Sequence, residues 1–380
     1  MNINSTKKYI FIRDIALLSI VGNMVGWLFP FPNLVWRLLL VVLSLYVIIK
    51  EEDRFLPCEK AVLIFTAFNL LHFFICYLWE SPGATQIGNI LCALLPLSLF
   101  VCLAQKGVMS DKFFVVAGIV LLVAAILQYQ HYERIILLSR ESDNENVTNN
   151  SSVAFLMLLP MVFLFKNNIQ KWATFLICLF FLITGAKRGN IFAAVIPVLL
   201  IGYSMLKDSR RSLKKATLVL SLIVGTVLLT YHWVSNNNYL MYRVEKTKEG
   251  NSSGRDVIYV GAWHVWYDSE NPISYLVGYG FDGTIHQTLT GHHHAHNDWL
   301  EVLVDYGLLG VILYLAVFIT FFQQIRRMQS FKWKMVFLSG VVIWFFKTFY
   351  SMGFTSETLS VAMISMGTAL GRYKLEEEVL

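Results

Sequence analysis

A histidine, an asparagine and a glutamate stand at 296, 297 and 301, inside the stretch HHHAHNDWLEVLVDYGLLG. Imidazole changes protonation near neutral pH, so His296 is a residue type that can take a proton from a hydroxyl. If a helix starts at this point, Asn297 and Glu301 form an i, i+4 pair with His296 one step away. Glu301 would then orient the imidazole or serve as the base itself. The bland alternative is that Asn297 caps the helix and the polar residues mark the edge of an apolar segment. Both readings stay open on these residues alone.

Two arginines extend the chemistry. Arg188, in TGAKRGN beside Lys187, opens an apolar run. Arg255 follows Gly254 at the head of RDVIYVGAWHVWYDSE. A guanidinium at a helix start is unfavourable by itself, because the dipole there already favours anions. Together with exposed N–H groups it makes a phosphate site, and two such arginines could clamp a diphosphate and hold the charge it gains on leaving. Against this, Arg188 could be a snorkelling side chain and Arg255 a surface ion pair. The run His292-His293-His294 with His296 invites a metal, with Asp298 or His264 as a further ligand. Successive side chains on an extended chain point apart, so the expectation is no metal and no cofactor.

These residues must be positioned by membrane-type elements. Of 380 residues 56% are apolar and only 15% charged, with a mean hydropathy of +0.57, whereas a soluble domain is roughly a quarter charged. The expected fold is an all-α polytopic integral membrane protein. About twelve spans are expected, near 13–30, 33–49, 60–79, 86–104, 112–128, 151–165, 172–186, 189–206, 214–233, 306–323, 333–350 and 355–370. Pro96, Pro160 and Pro197 fall within spans, where kinks are expected. Most of the 31 lysines and arginines fall on the short loops of one side, which places both termini in the cytoplasm. The net charge of +6 therefore reflects topology and argues against a nucleic-acid partner. The five cysteines give no metal-ligand pair and no disulfide framework.

The organisation expected is a bundle of nine helices over 1–233, interrupted by an outer loop at 129–150, then a large outer loop over 234–305. The last three helices and a cytoplasmic tail follow over 306–380. The large loop holds six of the nine histidines and carries the site. Residues 255–270 within it suit an interfacial helix, rich in tryptophan and tyrosine. The middle of the smaller loop, ERIILLSR, suits a second. Gly307 and Gly310 would let the tenth span approach its neighbours closely. Lys347, Glu357 and Arg37 are charges in or beside apolar segments.

HAHNDWLEVLVDYGLLGVILYL, after a long outer loop and before the last spans, resembles the signature region of the O-antigen ligase and polysaccharide polymerase family. TGAKRGN and Gly254-Arg255 resemble the segments that carry that family's two arginines. The resemblance implies a glycosyltransferase-C-like membrane enzyme of the bacterial inner membrane, working at the periplasmic face. It implies a donor glycan linked through diphosphate to undecaprenol, with membrane lipid around it and a chain-length regulator as a possible further partner. By the same resemblance His296 activates the acceptor hydroxyl, Arg188 and Arg255 bind the diphosphate, and no metal is needed. Glu301 is placed beside the base, with Asn297, His294 and Lys187 in support and His294 the rival for the base. The reading favoured at this point is a polymerase that transfers glycan to another lipid-linked repeat unit by inverting displacement. The alternatives are a ligase that transfers it to lipid A core in lipopolysaccharide biosynthesis, and a multi-span transporter or flippase of lipid-linked sugar.

Overall fold

The computed structural model describes residues 3–30, 32–50, 55–77, 84–138, 149–185, 187–209 and 254–377, with single positions between 217 and 245. Nearly all of the expected span at 214–233, the start of the large loop and the middle of the small one lie outside them. Among the described residues every regular element is helical. Five stretches are long and apolar enough to cross a bilayer: Asn33–Lys50, Pro57–Tyr77, Thr85–Gln105, Asp111–Ile135 and Asp298–Arg327. Shorter apolar helices cover Asn150–Leu164, Asn168–Thr184 and Gly189–Ser204. This is an all-α chain built as a multi-pass membrane protein. It divides into two compact units, one formed by 1–110 and 253–380 and the other by 111–252.

The first unit opens with α1 (Ile3–Met24), α2 (Asn33–Lys50), α3 (Pro57–Tyr77), α4 (Ala84–Leu94) and α5 (Pro96–Gln105). Proline sits at the first position of α3, and Glu59 reaches back to accept the Leu56 N–H at 2.9 Å. That is half of a capping box behind a favoured N1 proline. Pro96 likewise becomes the first residue of α5, so the expected kink is realised as a joint between two short helices. On α2, Trp36, Leu40, Ser44 and Val47 are buried, while Leu34, Leu38, Val42, Leu45 and Ile49 on the other face are exposed. An aliphatic face left open at helical spacing suits hydrocarbon rather than water.

After the second unit the first resumes with five further helices, numbered below in chain order after those of the second unit. The second unit holds α6 (Asp111–Leu138), α7 (Val153–Leu158) flanked by 3-10 turns, α8 (Asn168–Thr184) and α9 (Arg188–Ser209). Here one expectation is corrected. Residues 129–138, read as the start of a loop with its own interfacial helix, continue α6 without a break to Leu138. YQHYERIILL contains no proline or glycine to stop it, and polar residues alone do not end a helix. Pro160 lies in a 3-10 stretch, Leu159–Leu164, and Pro197 inside a continuous α9.

The returning helices of the first unit are α10 (Arg255–Tyr267), α11 (Pro272–Val277), α12 (Asp298–Arg327), α13 (Phe331–Tyr350) and α14 (Leu359–Glu377). The α10 helix falls within the expected 255–270. The α14 helix is almost wholly buried and packs on α5, where a Cβ at Gly367 or Gly371 would run into the backbone of Leu97 or Val101. This small-xxx-small spacing lets the two backbones approach closely. Against this bundle α13 and α12 are laid, and α12 carries the site.

Three charges carried forward from the sequence find internal partners. Arg37 on α2 is paired with Glu357 and donates from Nε to Asn23 Oδ1 at 3.0 Å. Lys347 does not snorkel outward; it is 4% exposed and donates to the Met352 carbonyl at 2.5 Å.

Candidate active site

The site is assembled on the first three turns of α12. Asp298, Glu301 and Asp305 follow one another along it, each buried, and negative charge is favoured at this end of a helix. Each carboxylate holds a different strand of chain. Asp305 accepts the Thr284 N–H at 2.9 Å and the Thr284 hydroxyl at 2.8 Å. Glu301 accepts His294 Nδ1 at 2.5 Å and the Ala295 N–H at 2.6 Å. Asp298 accepts the Gly353 N–H at 2.7 Å and the Tyr314 hydroxyl at 2.6 Å. Sequence reasoning gave Asp298 only a place in a metal set and missed Asp305. Three acids at spacings of three and four in an otherwise apolar helix start were the available signal.

The α12 helix is broken at Gly307, whose backbone is left-handed at φ 62° and ψ −160°. The break frees carbonyls that a straight helix would use. Val304 O accepts the Tyr279 N–H at 2.8 Å and Asp305 O the Gly280 N–H at 2.9 Å. The segment after α11 is thereby stitched to the helix. A Cβ at Gly307 would lie 2.5 Å from the Leu276 carbonyl carbon, so the close approach expected of this glycine is present.

Asn297 is the cap of α12. Its Oδ1 accepts the N–H of Trp299 at 3.0 Å and of Leu300 at 3.3 Å, which satisfies donors the helix leaves open. Its Nδ2 reaches the Phe349 carbonyl at 3.5 Å. His296, just before it, is exposed and held at φ 52°, a conformation uncommon outside glycine. Its carbonyl accepts the Tyr259 hydroxyl at 3.4 Å.

Glu301, expected beside His296, bonds the His294 ring through one oxygen and the Ala295 N–H through the other, and its side chain is 2% exposed. The reason is the direction of the chain. The reversal at His296 carries the two preceding residues back across the face of the helix, so they reach Glu301 first. His294 remains 31% exposed on its side chain. Burial lowers the proton affinity of this imidazole, but the Glu301 hydrogen bond and charge, with the Asp282 charge, outweigh burial and raise its pKa above 6.5. Bonding Nδ1 to a carboxylate fixes the tautomer and ring orientation.

Arg255 is the first residue of α10, after Gly254 in the left-handed region. Its Nη1 donates to the Tyr350 carbonyl at 2.7 Å. One turn on, the single Tyr259 hydroxyl proton is shared between the Phe349 carbonyl at 3.2 Å and the His296 carbonyl at 3.4 Å. Burial raises the Tyr259 pKa above its usual value, opposed by the Arg255 charge, so the phenol stays a donor. Arg255, Tyr259 and Asn297 thus converge on the last carbonyls of α13, which have no partners within their own helix. His264, by contrast, pairs with Asp268 at 2.8 Å on exposed surface. No group of three or more His, Cys, Asp or Glu among the described residues is arranged to hold a metal ion.

Arg188 and Lys187 belong to the second unit. Arg188 is the first residue of α9, as expected. The turn before it is fixed by the Asn149 N–H to Gly185 O at 3.1 Å and by Asn190 Nδ2 to Ser152 Oγ at 2.9 Å.

Residues 173–315 match the family model described as O-antigen ligase. Over this stretch the chain is similar to that family. The matched stretch contains Lys187, Arg188, Arg255, His294, His296, Asn297 and Glu301. It stops within α12, after the Gly307 break. No curated protein sequence matches the chain.

Proposed function

We propose that the protein is a membrane glycosyltransferase that moves a glycan from polyprenyl diphosphate to an acceptor hydroxyl at the outer face of the bacterial inner membrane. The matched family description names ligation, and on that ground transfer to lipid A core comes before the polymerisation expected from sequence. In this reading the acceptor oxygen attacks the anomeric carbon, the bond from that carbon to the diphosphate breaks, and His296 takes the hydroxyl proton. The diphosphate departs with the bonding electrons, and the Arg255 guanidinium meets the charge it gains. Arg188, with Lys187 beside it in the chain, is assigned a role in diphosphate binding on the strength of the family resemblance alone. Glu301 acts through the backbone, as the clamp that fixes the chain before His296.

One observation supports this most directly. The carboxylate that grips Ala295 and the hydroxyl that grips the His296 carbonyl leave an exposed imidazole beside the helix end that receives Arg255. A second assignment of the base has its own support, because His294 is the imidazole bonded to Glu301.

Purified protein given undecaprenyl-diphosphate oligosaccharide, with and without lipid A core, tests both. Transfer to core marks a ligase, and a ladder without core marks a polymerase. Loss in His296→Ala with residual turnover in His294→Ala supports the first assignment of the base; the reverse pattern supports the second. No product under either condition sinks the transferase reading.

A further inference from the structure

Asp298 has no part in the reaction just proposed, yet it is fully buried and accepts three hydrogen bonds. Two come from the backbone of the turn after α13, Gly353 N–H at 2.7 Å and Phe354 N–H at 3.3 Å, and one from Tyr314 on its own helix at 2.6 Å. Lys347, also buried, holds the same turn through the Met352 carbonyl at 2.5 Å. Immediately before this turn lie the Phe349 and Tyr350 carbonyls that receive Tyr259 and Arg255. Where α13 ends therefore decides where the guanidinium stands. Two residues before Asp298 in the chain lies His296.

One carboxylate is thus tied on one side to the strand carrying the base and, across a turn, to the carbonyls carrying the arginine. We propose that Asp298, with Lys347, is a positioning residue that sets the gap between His296 and Arg255 by clamping residues 351–354. The inference rests on the transferase reading above and adds to it a residue that touches no substrate. Misplacing a reacting group by about 1 Å costs on the order of a hundredfold in rate, so a clamp outside the reacting set can govern turnover.

The test is a double-variant cycle on full-length protein in lipid nanodiscs, with undecaprenyl-diphosphate oligosaccharide and lipid A core. Asp298→Asn is expected to lower kcat by roughly ten- to a hundredfold while the donor KM changes little. Combined with Arg255→Ala, it should add almost nothing to the loss from Arg255→Ala alone, because residues acting through one another are not additive. Tyr314→Phe removes one of the three bonds to Asp298, and the acceptor of the Trp344 indole N–H, but leaves both bonds from Asp298 to the turn; it should lower the thermal midpoint while leaving kcat close to wild type. If Asp298→Asn fails to fold, Lys347→Met goes through the same cycle. Losses that multiply, or a Tyr314→Phe kcat that falls as far as that of the clamp variant, would overturn the inference while wild-type transfer stands. Wild-type protein inactive with and without core removes the transferase reading and this inference with it.

Discussion

His294 and Glu301 meet at 2.5 Å, a partly exposed imidazole on a carboxylate that is itself sealed from solvent. The second oxygen of the same carboxylate takes the Ala295 N–H. A single side chain therefore fixes both a ring and the backbone that leads to His296.

Removing that side chain should be costly in two ways. Glu301→Ala leaves a buried backbone N–H without its acceptor, a loss of about 1–3 kcal/mol, read as a lower thermal midpoint. Turnover should fall by more than about tenfold, since the chain before His296 is no longer held. Glu301→Gln keeps one acceptor oxygen and should lie between. Wild-type turnover in Glu301→Ala would show that the clamp has no bearing on the reaction.

The pH dependence has a definite sign. The folded-state pKa of His294 is raised above the ordinary 6.5, so the folded state binds this proton more tightly than the unfolded chain. Its stabilising contribution is complete below about pH 6.5 and is lost as pH rises through the raised value. The difference in thermal midpoint between wild type and Glu301→Gln should therefore be largest in mild acid and shrink toward alkaline pH. A difference that grows with pH would contradict the assigned cause.

Arg255→Ala should weaken binding of undecaprenyl diphosphate, measured by tryptophan fluorescence of the nanodisc-held protein, by on the order of tenfold. Arg255→Lys should recover only part of this, because an ammonium cannot form the planar two-point contact. Equal affinity across wild type and both variants would remove Arg255 from the proposed diphosphate site.

Much of this arrangement is legible in the sequence where the signal is local. Asn297 before an apolar helix reads as a cap and is one. The aromatic stretch from Arg255 reads as a helix and is one. What pairs with what across the chain is not legible. Asp298 meets a turn 55 residues away, and Arg37 and Glu357, each seen singly, turn out to be each other's partner. Periodicity carries no information about contacts of this range. The end of α6 is hidden for another reason: the polar composition of YQHYERIILL suggests a loop, yet none of its residues obstructs helical geometry and the helix runs to Leu138.

Gly307→Ala should destabilise the protein by about 1–3 kcal/mol, because alanine must adopt φ 62° with its methyl against the Leu276 backbone. The loss should appear as reduced protease resistance in the 278–306 region as well as a lower midpoint. An alanine variant with unchanged midpoint would mean that the break relaxes without penalty.

The bonds that Tyr279 and Gly280 make to Val304 and Asp305 also bear on how such a site can diverge. They fix the two ends of the intervening segment to consecutive residues of one helix, so its register cannot slip. An inserted or deleted residue between them has to be absorbed inside the segment, where Thr284, His294 and Ala295 are pinned in turn by Asp305 and Glu301. In the proposed transferase, a different acceptor would be met by altering what the exposed positions present, while the spacing from the helix start to His296 is kept.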